Sequence, residues 1–141
     1  MSISSVNCYL QFGGRCEEAL KFYQETLGAE LLMLMRFNES PEPPPPGILA
    51  PGFENKVMHC SFKINNTMLM ASDGCNGEVS LSGFNLSLAI DTPEEAEQIF
   101  NSLAAGGSIS MPMCKTFWSP AFGMLVDKFG VSWMVNVVPP T

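Results

Sequence analysis

Positive charge is scarce in this chain: seven Lys and Arg stand against fourteen Asp and Glu, for a net charge of −7. The basic residues are scattered, so no stripe exists to neutralise a phosphate backbone, and no nucleic-acid partner is expected. Long apolar runs are also missing. None reaches the ~18 residues that cross a bilayer, and the first residues form neither the basic segment nor the apolar stretch of a secretory leader. A soluble, cytoplasmic protein with no membrane partner is expected. The five cysteines are odd in number and lack Cys-x-x-Cys spacing, which speaks against a disulfide framework and a structural zinc site. Reduced thiols packed as small hydrophobes are the simpler reading. There is one histidine, His59, and there are two arginines, Arg15 and Arg36.

Apolar residues, by contrast, make up 46% of the chain and charged ones only 15%. At 141 residues that composition buries a core without staples, so a single domain over 1–141 is expected. The apolar surplus points to a subunit contact, hence a homodimer. The chain also repeats itself. Glu17-Glu18-Ala19-Leu20-Lys21-Phe22-Tyr23 recurs as Glu94-Glu95-Ala96-Glu97-Gln98-Ile99-Phe100 at an offset of 77 residues, and each copy follows a strand-like run.

In the first copy, Val6 to Phe12 reads as a strand, Cys16 to Leu27 as an amphipathic helix closed by Gly28, and Leu31 to Phe37 as a strand. Four consecutive prolines, Pro43 to Pro46, then exclude helix and central strand, and 38–55 is expected to be a flap beside a pocket. Val57 to Ile64 and Thr67 to Ser72 form a hairpin across Asn65-Asn66. After a connector over 74–83, Phe84 to Ile90 is a strand. Thr92 or Asp91 caps a helix with Pro93 at its first position, and Ser108 to Met113, Gly123 to Asp127 and Val131 to Val138 are strands ended by Pro139-Pro140. The predicted architecture is α+β: two tandem βαβββ modules, about 5–73 and 84–138, forming a curved mixed sheet around a cavity with helices outside.

Phe22-Tyr23 in the first helix, Met58-His59-Cys60, Thr116-Phe117-Trp118 and Asp127-Lys128-Phe129-Gly130-Val131-Ser132-Trp133-Met134-Val135-Asn136 together resemble the vicinal-oxygen-chelate superfamily. Glyoxalase I, extradiol dioxygenases and the fosfomycin and bleomycin resistance proteins belong to it, and within it the PhnB-like group is the nearest in pattern. The resemblance implies a cavity between the halves and a homodimer. In metal-using members it implies His, Glu or Gln on the first, fourth, fifth and eighth strands. Those positions fall here at or beside Cys8, at Leu69 or Ala71, at Asn85 and at Met134. None is His, Glu or Asp, so the usual divalent metal is not expected and no cofactor is predicted. A noncanonical set using Cys8, His59, Cys60 or Asp73 is the alternative, although Asp73 before a glycine reads as a turn former. Some PhnB-like proteins are labelled 3-demethylubiquinone 3-methyltransferase. The Gly-rich turn and parallel sheet of a common S-adenosylmethionine site are absent from this pattern.

The candidate site residues follow from these positions. His59 is the one side chain suited to acid/base work near neutrality, provided its sheet face is the cavity face. Phe117, Trp118 and Trp133 are candidate pocket aromatics, Cys8, Asn85 and Met134 occupy implied site positions, and Arg36 could pair a carboxylate or phosphonate. Asn136 is a weaker candidate than Asn85. The methionines could supply an adaptable apolar wall. Two functions stay open: a metal-free protein that binds a small, mostly apolar molecule, and a lyase or isomerase with a noncanonical metal set or His59 as acid/base.

Overall fold

The computed structural model describes residues 2–139; Pro140 of the predicted Pro139-Pro140 stop lies outside them. The chain divides into two compact units, Met1–Ser80 and Leu81–Thr141, each with one helix and one four-stranded mixed sheet. No helix among the described residues is long and apolar enough to cross a membrane.

The first unit runs β1 (Tyr9–Gln11), α1 (Cys16–Leu27), β2 (Glu30–Arg36), β3 (Val57–Ile64) and β4 (Thr67–Ser72). Its sheet has the order β1-β4-β3-β2, with β1 parallel to β4 and the other pairs antiparallel. The helix forms where the sequence places it. Ala19, Leu20, Phe22 and Tyr23 bury one stripe, and Gly28 turns into the left-handed region at φ 68° so that its N–H reaches Gln24 O. Its start is closed from a distance, because Arg15 gives no side-chain cap. The Asp73 carboxylate at the end of β4 instead accepts from Gly14 N at 2.8 Å, Cys16 N at 2.7 Å and Val57 N at 2.8 Å. Asp73 is 1% exposed, so the sequence reading of it as a turn former understated its role: one buried carboxylate ties helix, β3 and β4 together.

The α1 side of this sheet is the core. Leu10 and Phe12, Cys60 and Phe62, and Leu69 and Ala71 are all buried, and the Tyr23 ring stacks on Phe62 at 6.4 Å. The first strand is shorter than expected, since Val6 is 87% exposed and lies outside the pairing with β4. The hairpin turns at Asn65, whose φ is +53°, a value that asparagine tolerates. The proline-rich excursion begins with a 3-10 turn, Phe37–Glu39. Its two ends are pinned together by Asn38 N to Glu54 O at 2.9 Å, and Ala50 N bonds Cys75 O at 2.8 Å.

The second unit runs β5 (Leu86–Ile90), α2 (Pro93–Ala104), β6 (Ser108–Cys114), β7 (Phe122–Val126) and β8 (Ser132–Val137). Its order is β5-β8-β7-β6, with β5 parallel to β8. Here the helix is capped locally: Thr92 Oγ1 accepts from Glu95 N at 3.3 Å and Pro93 takes the first position. Ala96, Phe100 and Leu103 pack with the buried Leu125, Trp133, Val135 and Val137. Gly123 is required by this packing, since a Cβ there would come within 2.7 Å of Phe100 and of Met113 Sδ.

Candidate functional site

A helix covers one face of each sheet, and most of the candidate site residues lie on or beside the other. In the first unit, cross-strand pairing sets Met35 beside His59, Met33 beside Ser61, and both Tyr9 and Ser61 beside Met70. Directly paired residues point the same way. These side chains therefore share the face opposite α1, since their neighbours Leu10, Cys60 and Ala71 point into the core. His59 thus sits on the helix-free face, half-buried. Its Nδ1 shares a 3.2 Å hydrogen bond with the Tyr9 hydroxyl, and the two rings lie 5.6 Å apart. That contact fixes the imidazole's orientation and leaves Nε2 as its other donor or acceptor.

In the second unit, Met124 pairs with Met134, Phe122 pairs with Asn136, and Ser87 and Ala89 stand beside Met134 and Asn136. These form the face opposite α2. The loop after β6 extends it. Buried Ser119 donates its hydroxyl and accepts from Ala121 N, bonding Ala121 O and Val137 O at 2.7 Å each, and the turn it anchors presents Phe117 and Trp118. Trp118 meets Phe122 edge-on at 5.4 Å and Phe117 at 4.8 Å. Among the described residues, Asn136 Oδ1 is buried without a hydrogen-bond partner, an arrangement that carries a desolvation cost.

The predicted residues separate accordingly. Met134 and Trp118 come together on or beside the helix-free face of the second unit, with Phe117 at the loop tip, 97% exposed. Asn85 precedes β5, exposed, on the same alternation as Ser87 and Ala89. Trp133 goes elsewhere: it is 1% exposed on the α2 side, and its indole Nε1 donates to Asp127 Oδ2 at 2.9 Å. The same carboxylate accepts from Phe129 N and Val131 N, so the Asp-x-Phe-Gly-x-x-Trp motif is a structural clamp and Trp133 is a core residue. Cys8 alternates with the buried Leu10 and Phe12, away from the His59 face, and burial pushes its thiol pKa up.

Arg36 is already paired. Its guanidinium makes bonds of 3.0 and 2.7 Å to the two Glu17 oxygens and one of 3.2 Å to Asn55 O, and Arg36 holds the Glu17 carboxyl below its ordinary pKa. Both residues line a cleft of about 570 Å³ with Gly14, Lys56 and Asp73. Several of its anion-binding groups have internal partners: Arg36 holds Glu17, Lys56 Nζ donates to Gly14 O at 2.9 Å, and Asp73 takes the amides at the helix start. Sequence reasoning missed Tyr9 and Phe122 and ranked Asn136 below Asn85. The signal was available in the period-2 partners of His59 and Met134, once the register was known.

A divalent ion of the kind used in this fold needs several N or O donors in one place. Among the described residues, no three His, Cys, Asp or Glu side chains come together to hold one. His59 has Tyr9 and methionines around it, and Met134 stands where metal-using members place a donor. The residues present do not fit that ion. Nor do they fit an S-adenosylmethionine site of the common kind: both sheets are mixed rather than parallel, and Asp73 fills the helix start after Gly13-Gly14.

Comparison with known proteins agrees with this architecture. A family model described as 3-demethylubiquinone-9 3-methyltransferase matches residues 4–136. Protein YjdN of Escherichia coli (strain K12) is 42% identical over 138 residues, 92% of each chain. Protein PA1353 from Pseudomonas aeruginosa superposes with a TM-score of 0.83 at 40% identity, over 97% of this chain and 98% of that one. The PhnB protein from Bacillus cereus does so with a TM-score of 0.80 at 30% identity, over 96% and 100%. A glyoxylase/bleomycin resistance protein/dioxygenase domain from Frankia shares the fold alone, with a TM-score of 0.66 at 12% identity over 99% and 98%. The chain belongs to the 3-demethylubiquinone-9 3-methyltransferase family, is similar to its PhnB member, and shares the fold of a glyoxylase/bleomycin resistance protein/dioxygenase domain.

Proposed function

We propose that this protein binds a small, mostly apolar molecule on the helix-free sheet faces, without the divalent metal used elsewhere in the superfamily. The observation that carries the reading is the chemistry of those faces. Met33, Met35, Met68 and Met70 lie on one, with Tyr9, Gln11, His59, Ser61 and Lys63 as the polar groups among them; Met124 and Met134 lie on the other, with Phe122 and Trp118 as its aromatic wall and Ser87 and Asn136 as its polar groups. Flexible thioethers and aromatic edges suit an adaptable apolar site, and the polar groups orient what enters it. Methyl transfer, named in the family's description, is not the activity proposed. Assembly as a homodimer belongs to the same reading, supported by the exposed Leu31, Leu32 and Met33 on edge strand β2; light scattering that returns the mass of one chain would remove it.

The test is a titration of the whole chain with 4-fluorotoluene, followed by ¹⁹F NMR, before and after dialysis against a chelator. Saturable binding that survives chelation is expected. No saturable binding, or binding abolished by chelation, overturns the proposal.

A second reading rests on the hydrogen bond between Tyr9 and His59. An imidazole held by a phenol on an open face is equipped for acid/base work, which would make the protein a lyase or isomerase. His59→Ala would then abolish turnover of a substrate while leaving the fold intact; unchanged turnover would exclude His59 from the chemistry.

A further inference from the structure

Two buried thiols on the α1 side of the first sheet take no part in the helix-free faces. Cys16 opens α1 and Cys60 sits in the middle of β3, 44 residues apart in sequence, with their Sγ atoms 3.7 Å apart. They are 1% and 0% exposed and both are free, whereas Cys75 and Cys114 are exposed and Cys8 is half-buried. At 3.7 Å the sulfurs are already in contact. A disulfide of about 2.05 Å needs a closure of roughly 1.7 Å, which side-chain rotation at the two residues shares between them.

We propose that Cys16 and Cys60 form a reversible disulfide on exposure to a peroxide, a redox clamp between α1 and β3. The two sulfurs are not equivalent. The hydrogen bond with Cys16, in which either sulfur can be the donor, and the one with the Ala71 backbone lower the Cys60 pKa, while burial and the Asp73 charge oppose them. Cys16 is pushed the other way, by the same hydrogen bond and by burial. We assign the attack to Cys60 and the resolution to Cys16; the reverse order would yield the same disulfide. The Cys60 thiolate attacks hydrogen peroxide, the O–O bond breaks, and a sulfenic acid forms with release of hydroxide. Hydroxide takes the Cys16 proton to give water. The Cys16 thiolate then attacks the Cys60 sulfur, the S–O bond breaks, and the departing hydroxide is protonated to a second water. In total, two thiols and one peroxide become one disulfide and two waters. The cleft that Gly14, Val57 and Asp73 line includes neither cysteine, and it lies one hydrogen bond from the Cys16 backbone through the Asp73 carboxylate. Once closed, the bond braces β3 directly behind His59.

The full chain carrying Cys75→Ser and Cys114→Ser, which removes the two exposed thiols, is treated with one equivalent of hydrogen peroxide and mapped after proteolysis. Two thiols should disappear together, and a cross-linked peptide should join Cys16 to Cys60. The closed loop should raise Tm by about 5–10 °C, a gain reversed by dithiothreitol. Adding Cys60→Ala should abolish both effects; should that variant fail to fold, the peptide map of its parent decides alone. Retention of both thiols, a cross-link through Cys8, or sulfinic acid at Cys60 without a cross-link overturns the proposal.

Discussion

The two units share one order of elements and nearly one sequence motif, yet they fix their helices differently. Helix α2 is closed by its own neighbour, Thr92, three residues from the amide it accepts. Helix α1 is closed by Asp73, 57 residues beyond Cys16. A local cap stabilises one helix end, whereas a distant one makes the helix conditional on the sheet. The helix-free faces differ as well, with a Tyr9–His59 pair in the first unit and an apolar set around an unpartnered Asn136 oxygen in the second. A duplicated fold has kept its scaffold and diverged in what the scaffold presents.

Asp73→Ala should break the comparison most severely. It strands three backbone N–H groups, two in fully buried bonds, and should cost about 3–5 kcal/mol in chemical denaturation. Thr92→Ala in the other unit should cost about 1 kcal/mol. Similar losses for the two would refute the contrast between distant and local closure. Next in size, Met134→Glu should weaken 4-fluorotoluene binding at least tenfold, because a carboxylate on an apolar face must be desolvated when a ligand covers it. Unchanged affinity would show that the second unit's face takes no ligand.

The smallest effect should come from Glu17→Gln. Arg36 lowers the folded-state pKa of Glu17, so the pairing stabilises the fold above the ordinary carboxylate pKa and is lost as pH falls through the lowered one. The pair is solvent-exposed, so Tm should fall by less than about 2 °C at pH 7. The difference from the parent should vanish toward the acid end of the carboxylate range. A difference that grows on acidification would show that the pair is not the cause.

Much of the scaffold was legible because its signals are local. The helix over Cys16–Leu27 and the strands Val57–Ile64 and Thr67–Ser72 lie where Gly28, Asn65 and the apolar spacing put them. What escaped depends on pairing at a distance. Asp73 looks like a turn former until amides from α1 and β3 are brought to it. Trp133 looks like a pocket aromatic until the register turns it toward α2 and Asp127. His59 had two possible faces, and the register that sets it beside Met35, with its neighbour Cys60 turned into the core, identifies the helix-free one. Period-2 alternation separates two faces without saying which one the helix covers.

The central claim is that the helix-free faces take an apolar ligand without a metal. It is tested most directly by elemental mass spectrometry of untagged, unchelated protein, run on the same sample as the 4-fluorotoluene titration. The account predicts far less than one divalent metal per chain and saturable binding of the probe. About one zinc, nickel, manganese or iron per chain, with probe binding lost when it is stripped, would contradict it.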